Sequence, residues 1–171
     1  MTYTSQVTDT AGPPQTASVS HLGLSVTDLD RSLTFYCDVL RAPLVRPPNP
    51  GESPAFSGRM ALVMLGPIGL DLFEHALNES EGFSPVRTGL DHLALTAESL
   101  SDLELWAAWL DAHDVPRSEL RDAGGVGYLF DFVDPDGIQL EFVFLDPEKL
   151  RVSSTYSVAA TVLNLDANPN P

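Results

Sequence analysis

The sequence predicts an α+β fold of two tandem modules whose sheets form a half-open barrel around a cleft, and three observations predict it. A histidine opens a short alternating stretch twice, as Val19-Ser-His-Leu-Gly-Leu-Ser-Val26 and as Leu90-Asp-His-Leu-Ala-Leu-Thr-Ala97. Each stretch precedes a segment of helical periodicity and then two strand-like segments. Each histidine is also trailed about fifty residues later by an acid in a Leu-rich strand, His21 by Asp71 and His92 by Glu141. Imidazole and carboxylate are both costly to bury unless something binds them, and a divalent metal ion is the simplest binder.

Residues 1–17 are rich in Thr, Ser, Gln and Pro, with little to bury, and are expected to form a flexible arm. From Val19 to Val26, Leu22, Leu24 and Val26 alternate with His21, Gly23 and Ser25, the period of a half-buried strand. Thr27-Asp28 offers an N-cap, and Leu29, Leu33, Tyr36, Val39 and Leu40 then recur at helical spacing up to Arg41. Pro43, Pro47, Pro48, Pro50 and Pro54 predict a long loop from Pro43 to Gly58. Strands are expected over Arg59 to Leu65 and Leu70 to His75, joined by a turn at Gly66-Pro67-Ile68-Gly69. A polar linker, Asn78 to Thr88, closes this first β-α-β-β unit.

The order then recurs. Leu90 to Thr96 predicts a strand, and Ser101 an N-cap for a helix with Leu103, Trp106, Ala107 and Leu110 on one face. Trp109 on the same helix reads as a core aromatic. Gly124-Gly125-Val126-Gly127 ends a loop, and Asp134-Pro135-Asp136-Gly137 joins strands over Tyr128 to Val133 and Ile138 to Leu145. The modules thus cover about 18–80 and 88–146 of one domain, 18–146. A tail, 147–171, carries one apolar patch, Tyr156 to Leu165, suited to an added strand or to contact with a second subunit. Neither half could bury its apolar face alone, so the two sheets are expected to pack about a pseudo-twofold axis.

The chain of 171 residues, 43% hydrophobic, is long enough to bury an ordinary core. Its single cysteine, Cys37, excludes an internal disulfide and reads as a small core residue. With 24 acidic residues against 9 basic, the net charge of −15 argues against nucleic acid and anionic membranes as partners. The first residues lack a secretory pattern, and no apolar run reaches the ~20 residues that span a bilayer. A cytoplasmic protein acting on a small-molecule substrate, and forming a homodimer, is expected.

Parity bears on which acid faces the cleft. Leu140, Phe142 and Phe144 should pack on the helix, which turns Glu141 away from it. Leu70 and Leu72 likewise turn Asp71, Phe73 and His75 toward the barrel, and Glu74 falls on the opposite parity unless a bulge intervenes. Aligning the two turns instead sets Phe73 against Glu141 and Asp71 against Gln139. Asp71 is the first choice beside His21, His92 and Glu141, with His75 and Glu74 as alternatives. His113 reads as a solvated residue at a helix end.

The segments His21-Leu-Gly-Leu-Ser-Val-Thr-Asp-Leu-Asp-Arg-Ser32, Phe35-Tyr-Cys-Asp-Val-Leu40, Asp91-His-Leu-Ala-Leu95 and Asp134-Pro-Asp-Gly-Ile-Gln-Leu-Glu-Phe142 together resemble the vicinal oxygen chelate superfamily. That superfamily includes glyoxalase I, type I extradiol dioxygenases, and fosfomycin and bleomycin resistance proteins. The resemblance implies paired βαβββ modules and metal positions at His21, His92 and Glu141. The remaining first-module position would fall on Asp71.

Two imidazoles with one or two carboxylates suit Zn, Ni, Mn, Co or Fe(II). Open coordination positions would accept two adjacent oxygens of a substrate, and the ion would stabilise an enediolate or enolate, as in a glyoxalase-type lyase or isomerase. Asp71 or Glu141 could then serve as the proton-shuttling catalytic carboxylate. The competing enzyme is an Fe(II)-dependent extradiol-type dioxygenase built on His21, His92 and Glu141, with Tyr128 in the cleft or His75 assisting proton transfer. Four protein ligands, Asp71 included, favour the isomerase and three favour oxygen activation. A third possibility is a metal-free drug-binding protein with a crevice lined by Trp106, Trp109, Tyr128 and Phe130.

Overall fold

The computed structural model describes residues 18–53 and 56–152. The expected arm, 1–17, and the apolar patch, Tyr156 to Leu165, lie outside the described residues. In chain order the elements are β1 (His21–Val26), α1 (Leu29–Leu33), a wider π-helical continuation (Thr34–Val39), β2 (Leu44–Ser53), β3 (Phe56–Leu65) and β4 (Ile68–His75). The second module follows with β5 (His92–Thr96), α2 (Leu100–Ala112), β6 (Arg121–Asp122), β7 (Gly127–Val133), β8 (Gln139–Leu145) and α3 (Pro147–Val152). The strands form two four-stranded sheets, ordered β1-β4-β3-β2 and β5-β8-β7-β6, which are not closed on one another. Each module is therefore βαβββ, with one strand more than the residue pattern alone delivers. No described helix is long and apolar enough to cross a membrane.

The extra strands correct two expectations. The proline-rich stretch is a strand, β2, not a loop, paired antiparallel with β3 and interrupted by irregularities between Leu44 and Arg46 and between Arg46 and Asn49. Prolines lack the N–H that an interior strand must donate, but β2 is outermost in its sheet, where one side of the ladder needs no partner. The sequence before the glycines at 124–127 likewise contributes the two-residue strand β6. The second helix is capped by Ser99, whose hydroxyl accepts from Asp102 N at 3.1 Å, rather than by Ser101. In α1 the cap is Asp28, accepting from Arg31 N at 3.0 Å.

Alternation sorts each sheet into a helix side and an open side. Leu24, Val26, Leu70, Leu72, Ala61 and Val63 are buried on the helix side of the first sheet, and Phe130, Phe132, Leu140 and Phe142 on that of the second. These residues join Leu29, Tyr36, Leu103 and Leu110 in one continuous core, so the modules meet through their helix sides. Asp134 and Asp136, from the turn before β8, tie them together. Asp134 is 3% exposed and accepts from Tyr36 Oη at 3.0 Å, Ile138 N at 2.8 Å and Asp136 N at 2.9 Å. Burial raises its carboxyl above the ordinary range, against the pull of these donors. Asp136 accepts from Thr27 through both backbone N and hydroxyl, and from Arg31 Nη2 at 2.6 Å. Trp109 Nε1 donates to Val39 O at 2.8 Å and so also links the modules, but its ring is half-buried beneath the Arg41 guanidinium rather than in the core.

Gly127 begins β7 where no side chain fits, since a Cβ there would lie 1.9 Å from the carbonyl oxygen of Phe144. Backbone rather than a mobile side chain stands in the way. Gly127→Ala is expected to cost about 3 kcal/mol by separating β7 from β8. Denaturant unfolding checks this, and a loss below about 1 kcal/mol would show that the strand pair yields easily.

Candidate functional site

The open side of the second sheet is built by parity. His92 pairs with Gln139, Ala94 with Glu141, and Glu141 in turn with Asp131, so the four polar side chains share the face away from α2. They line a cleft of about 620 Å³, together with Asp91, Arg117, Ser118 and Arg121. His92 Nδ1 lies 2.7 Å from Asp91 Oδ1. A carboxylate accepts only, so Nδ1 carries the proton and Nε2 keeps the lone pair of the neutral ring. The same hydrogen bond holds the imidazolium above its ordinary range, with the charge of Glu141 adding to it. Glu141 is 15% exposed in its side chain, and burial lifts its carboxyl, opposed by His92 and Arg121.

The first sheet repeats the arrangement. His21 pairs with Gly69 and Gly23 with Asp71, so Asp71 stands where Glu141 stands relative to its histidine: opposite the residue two beyond it. This settles the register that the two turns left open. His21 Nδ1 lies 2.8 Å from Ser20 Oγ, so each candidate histidine is held by the side chain just before it. A Cβ at Gly69 would sit 3.3 Å from that of His21, so glycine leaves room beside the ring where the second module has Gln139.

The alternatives separate clearly. Glu74 pairs with Val26 in register, on the helix side, and is bound by Arg59 Nη1 at 3.3 Å; no bulge returns it to the open face. His75 shares the open side with Asp71 but is packed among aromatics, its ring centre 5.0 Å from that of Phe56 and 6.0 Å from that of Phe73. Tyr128 is on the helix side with Phe130 and Phe132, beneath the Lys149 ammonium, and so faces away from the cleft that Glu141 lines. Nor do Trp106, Trp109 or Phe130 line that cleft, where Phe132 is the aromatic present. Phe130 is fully buried, and Trp106 stacks on Phe142 at 4.6 Å. Trp106 and Trp109 border a separate cavity of about 480 Å³ near Arg41.

The chain brings His92 and Glu141 together. Among the described residues no three His, Cys, Asp or Glu side chains are grouped closely enough to hold a metal ion, so one chain does not assemble all four expected ligands. Three neighbours escaped the sequence reading. Asp131 interrupts the apolar run of β7 at the parity of Glu141, a signal that was present. Arg121 and Arg46 reach their carboxylates from outer strands, β6 and β2, that propensity did not reveal.

The family model for the Glyoxalase/Bleomycin resistance protein/Dioxygenase superfamily matches residues 18–142. The metallothiol transferase FosB of Staphylococcus saprophyticus is 31% identical over 128 residues, covering 72% of this chain and 74% of that protein. YaeR of Escherichia coli K12 is 31% identical over 124 residues, covering 72% and 92%. The crystal structure of a glyoxylase/bleomycin resistance protein/dioxygenase domain from Frankia sp. EAN1pec matches with a TM-score of 0.69 at 27% identity, covering 77% of this chain and 99% of that one.

Proposed function

The chain belongs to the glyoxalase/bleomycin resistance protein/dioxygenase superfamily, and from that premise we propose that it is a divalent-metal-dependent enzyme, a lyase or thiol transferase, gripping a small substrate through two adjacent oxygens. The support comes from His92, whose Nδ1 is fixed by Asp91 and whose Nε2 lone pair shares an open face with Glu141. Ligating histidines are typically oriented in this way by a partner on the other ring nitrogen. His21, His92 and Glu141 would hold the ion. FosB, a metallothiol transferase, makes attack by a thiol the transfer form of the reaction.

Among the described residues one chain groups no complete ligand set, so the ion would draw its ligands from two chains. β1 and β5 are both edge strands, each carrying its histidine on an exposed open face. A second copy laid along these edges would cover both faces and bring His21 of one protomer to His92 and Glu141 of its partner. The bound ion would supply Lewis acidity toward the substrate oxygens. Gln139 and Arg121 would orient polar substituents in the cleft, and Glu141, its carboxyl raised by burial, would accept a substrate proton.

One observation favours a second reading. Arg46 Nη2 lies 3.0 Å from Asp71 Oδ1, so the two histidines and one carboxylate that would hold the ion are also the set of an Fe(II)-dependent extradiol-type dioxygenase. Elemental analysis of untagged protein, with a catechol ring-cleavage assay begun by adding O2 to any iron form loaded anaerobically, separates the two. Absence of any divalent metal after reconstitution would overturn both.

Protonation of His92 competes with the ion. Because Asp91 holds the imidazolium above the ordinary value of 6.5, affinity for Mn²⁺ is expected to grow with pH to beyond that point and then level off. In Asp91→Asn the plateau should begin at lower pH, with affinity about 10-fold weaker once both are neutral. Titrations at several pH values test this, and superimposable profiles would remove Asp91 from the site.

A further inference from the structure

Resting on the metal reading, the register between the modules yields a difference that neither sequence half announces. Asp71 and Glu141 are counterparts, and so are the residues beside them on the next strand, Leu62 and Asp131. From the outermost strand of each sheet an arginine reaches inward, Arg46 from β2 and Arg121 from β6. In the first module Leu62 stands at that position, and Arg46 closes on Asp71 at 3.0 Å. In the second, Asp131 takes Arg121 with both oxygens, Nη1 on Oδ2 and Nη2 on Oδ1 at 2.9 Å. The Arg121 guanidinium is thereby left 3.9 Å from Glu141 Oε2, outside hydrogen-bond distance.

We propose that Asp131 is a positioning residue that keeps Arg121 off Glu141 and so leaves this carboxylate free to ligate, whereas Asp71, lacking such a neighbour, is committed to Arg46 and is not a ligand. The centre is then one of two histidines and a single carboxylate. Asp71 and Glu141 are 13% and 15% exposed in their side chains, so a guanidinium on either is poorly screened and competes effectively with an incoming cation. Leu62, where the second module has Asp131, is what ends the symmetry.

Titration with Mn²⁺, followed by calorimetry on the full chain, tests this without reference to turnover. Asp71→Asn, which keeps an acceptor for Arg46, is expected to bind within about 3-fold of wild type. Asp131→Leu, which copies the first module, should bind 10- to 100-fold more weakly, the range seen when the partners of ligands are lost. Arg121→Leu added to Asp131→Leu should restore affinity, with thermal melting confirming that each variant is folded. A loss of 100-fold or more in Asp71→Asn would make Asp71 a ligand. Failure of the double variant to recover would show that Asp131 does not act through Arg121. Either result overturns this proposal while wild-type binding stands; no Mn²⁺ uptake by wild type would bring down the metal reading and this proposal with it.

Discussion

Chains carrying His21→Ala and chains carrying His92→Ala are each expected to lose divalent-metal affinity by about 100-fold or more, and to regain tight sites when unfolded together and refolded as a mixture. The loss should exceed the 10- to 100-fold cost of removing a partner of a ligand, because a ligand itself is gone. Recovery follows from the geometry. The described part of one chain groups no three ligand side chains, while His21 and His92 stand on the open faces of separate sheets. In a mixed pair, one site would combine both mutated positions, and the other would combine an intact His21 with an intact His92 and Glu141. One tight site per mixed dimer, counted by Mn²⁺ titration after separation of differently tagged chains, is the expected result. A mixture that binds no better than its parents would mean that the histidines do not meet across two copies.

The second large effect concerns Asp134. Its Oδ1 accepts from the backbone N–H groups of Asp136 and Ile138, and its Oδ2 from Tyr36 Oη, with Tyr36 fully buried. Asp134→Ala strands three donors at the junction of the modules. At 1–3 kcal/mol for each donor left unpaired, partly relieved by water, the expected loss is about 4 kcal/mol. Asp134→Asn keeps the oxygen that serves both N–H groups, and its amide can donate to the Tyr36 oxygen, so a cost near 1 kcal/mol is expected. Urea unfolding of the two variants measures the contrast, and similar losses in both would show that the turn, not the hydrogen bonds, carries the stability.

The modular plan was legible because it rests on periods. Leu22, Leu24 and Val26 alternate in β1, and Leu103, Ala107 and Leu110 recur in α2, and both patterns survive folding as buried faces. Parity also turned Asp71 and Glu141 the correct way. What stayed hidden depends on partners distant in sequence. No local signal says that a stretch with Pro47, Pro48 and Pro50 pairs with β3, since only its outer position in the sheet excuses the missing donors. Tyr128 was misplaced because an aromatic suits either face of a strand, and here it follows Phe130 and Phe132 into the helix side. The register of Asp71 required β1, whose pairing with β4 no turn alignment contains.

The prolines of β2 reach beyond their own sheet. An outer strand with its full set of N–H and C=O groups is a template on which any extended chain can crystallise, and cells accumulate such contacts as aggregates. Pro47, Pro48 and Pro50 strip donors from that margin, and the opposite sheet ends in a strand of only two residues, Arg121 and Asp122. Two of the four margins are therefore poor hosts. Those that remain hospitable are β1 and β5, the strands that bear the histidines. Any strand that docks on the described sheets is therefore expected at β1 or β5, beside the histidines, rather than at the other two margins.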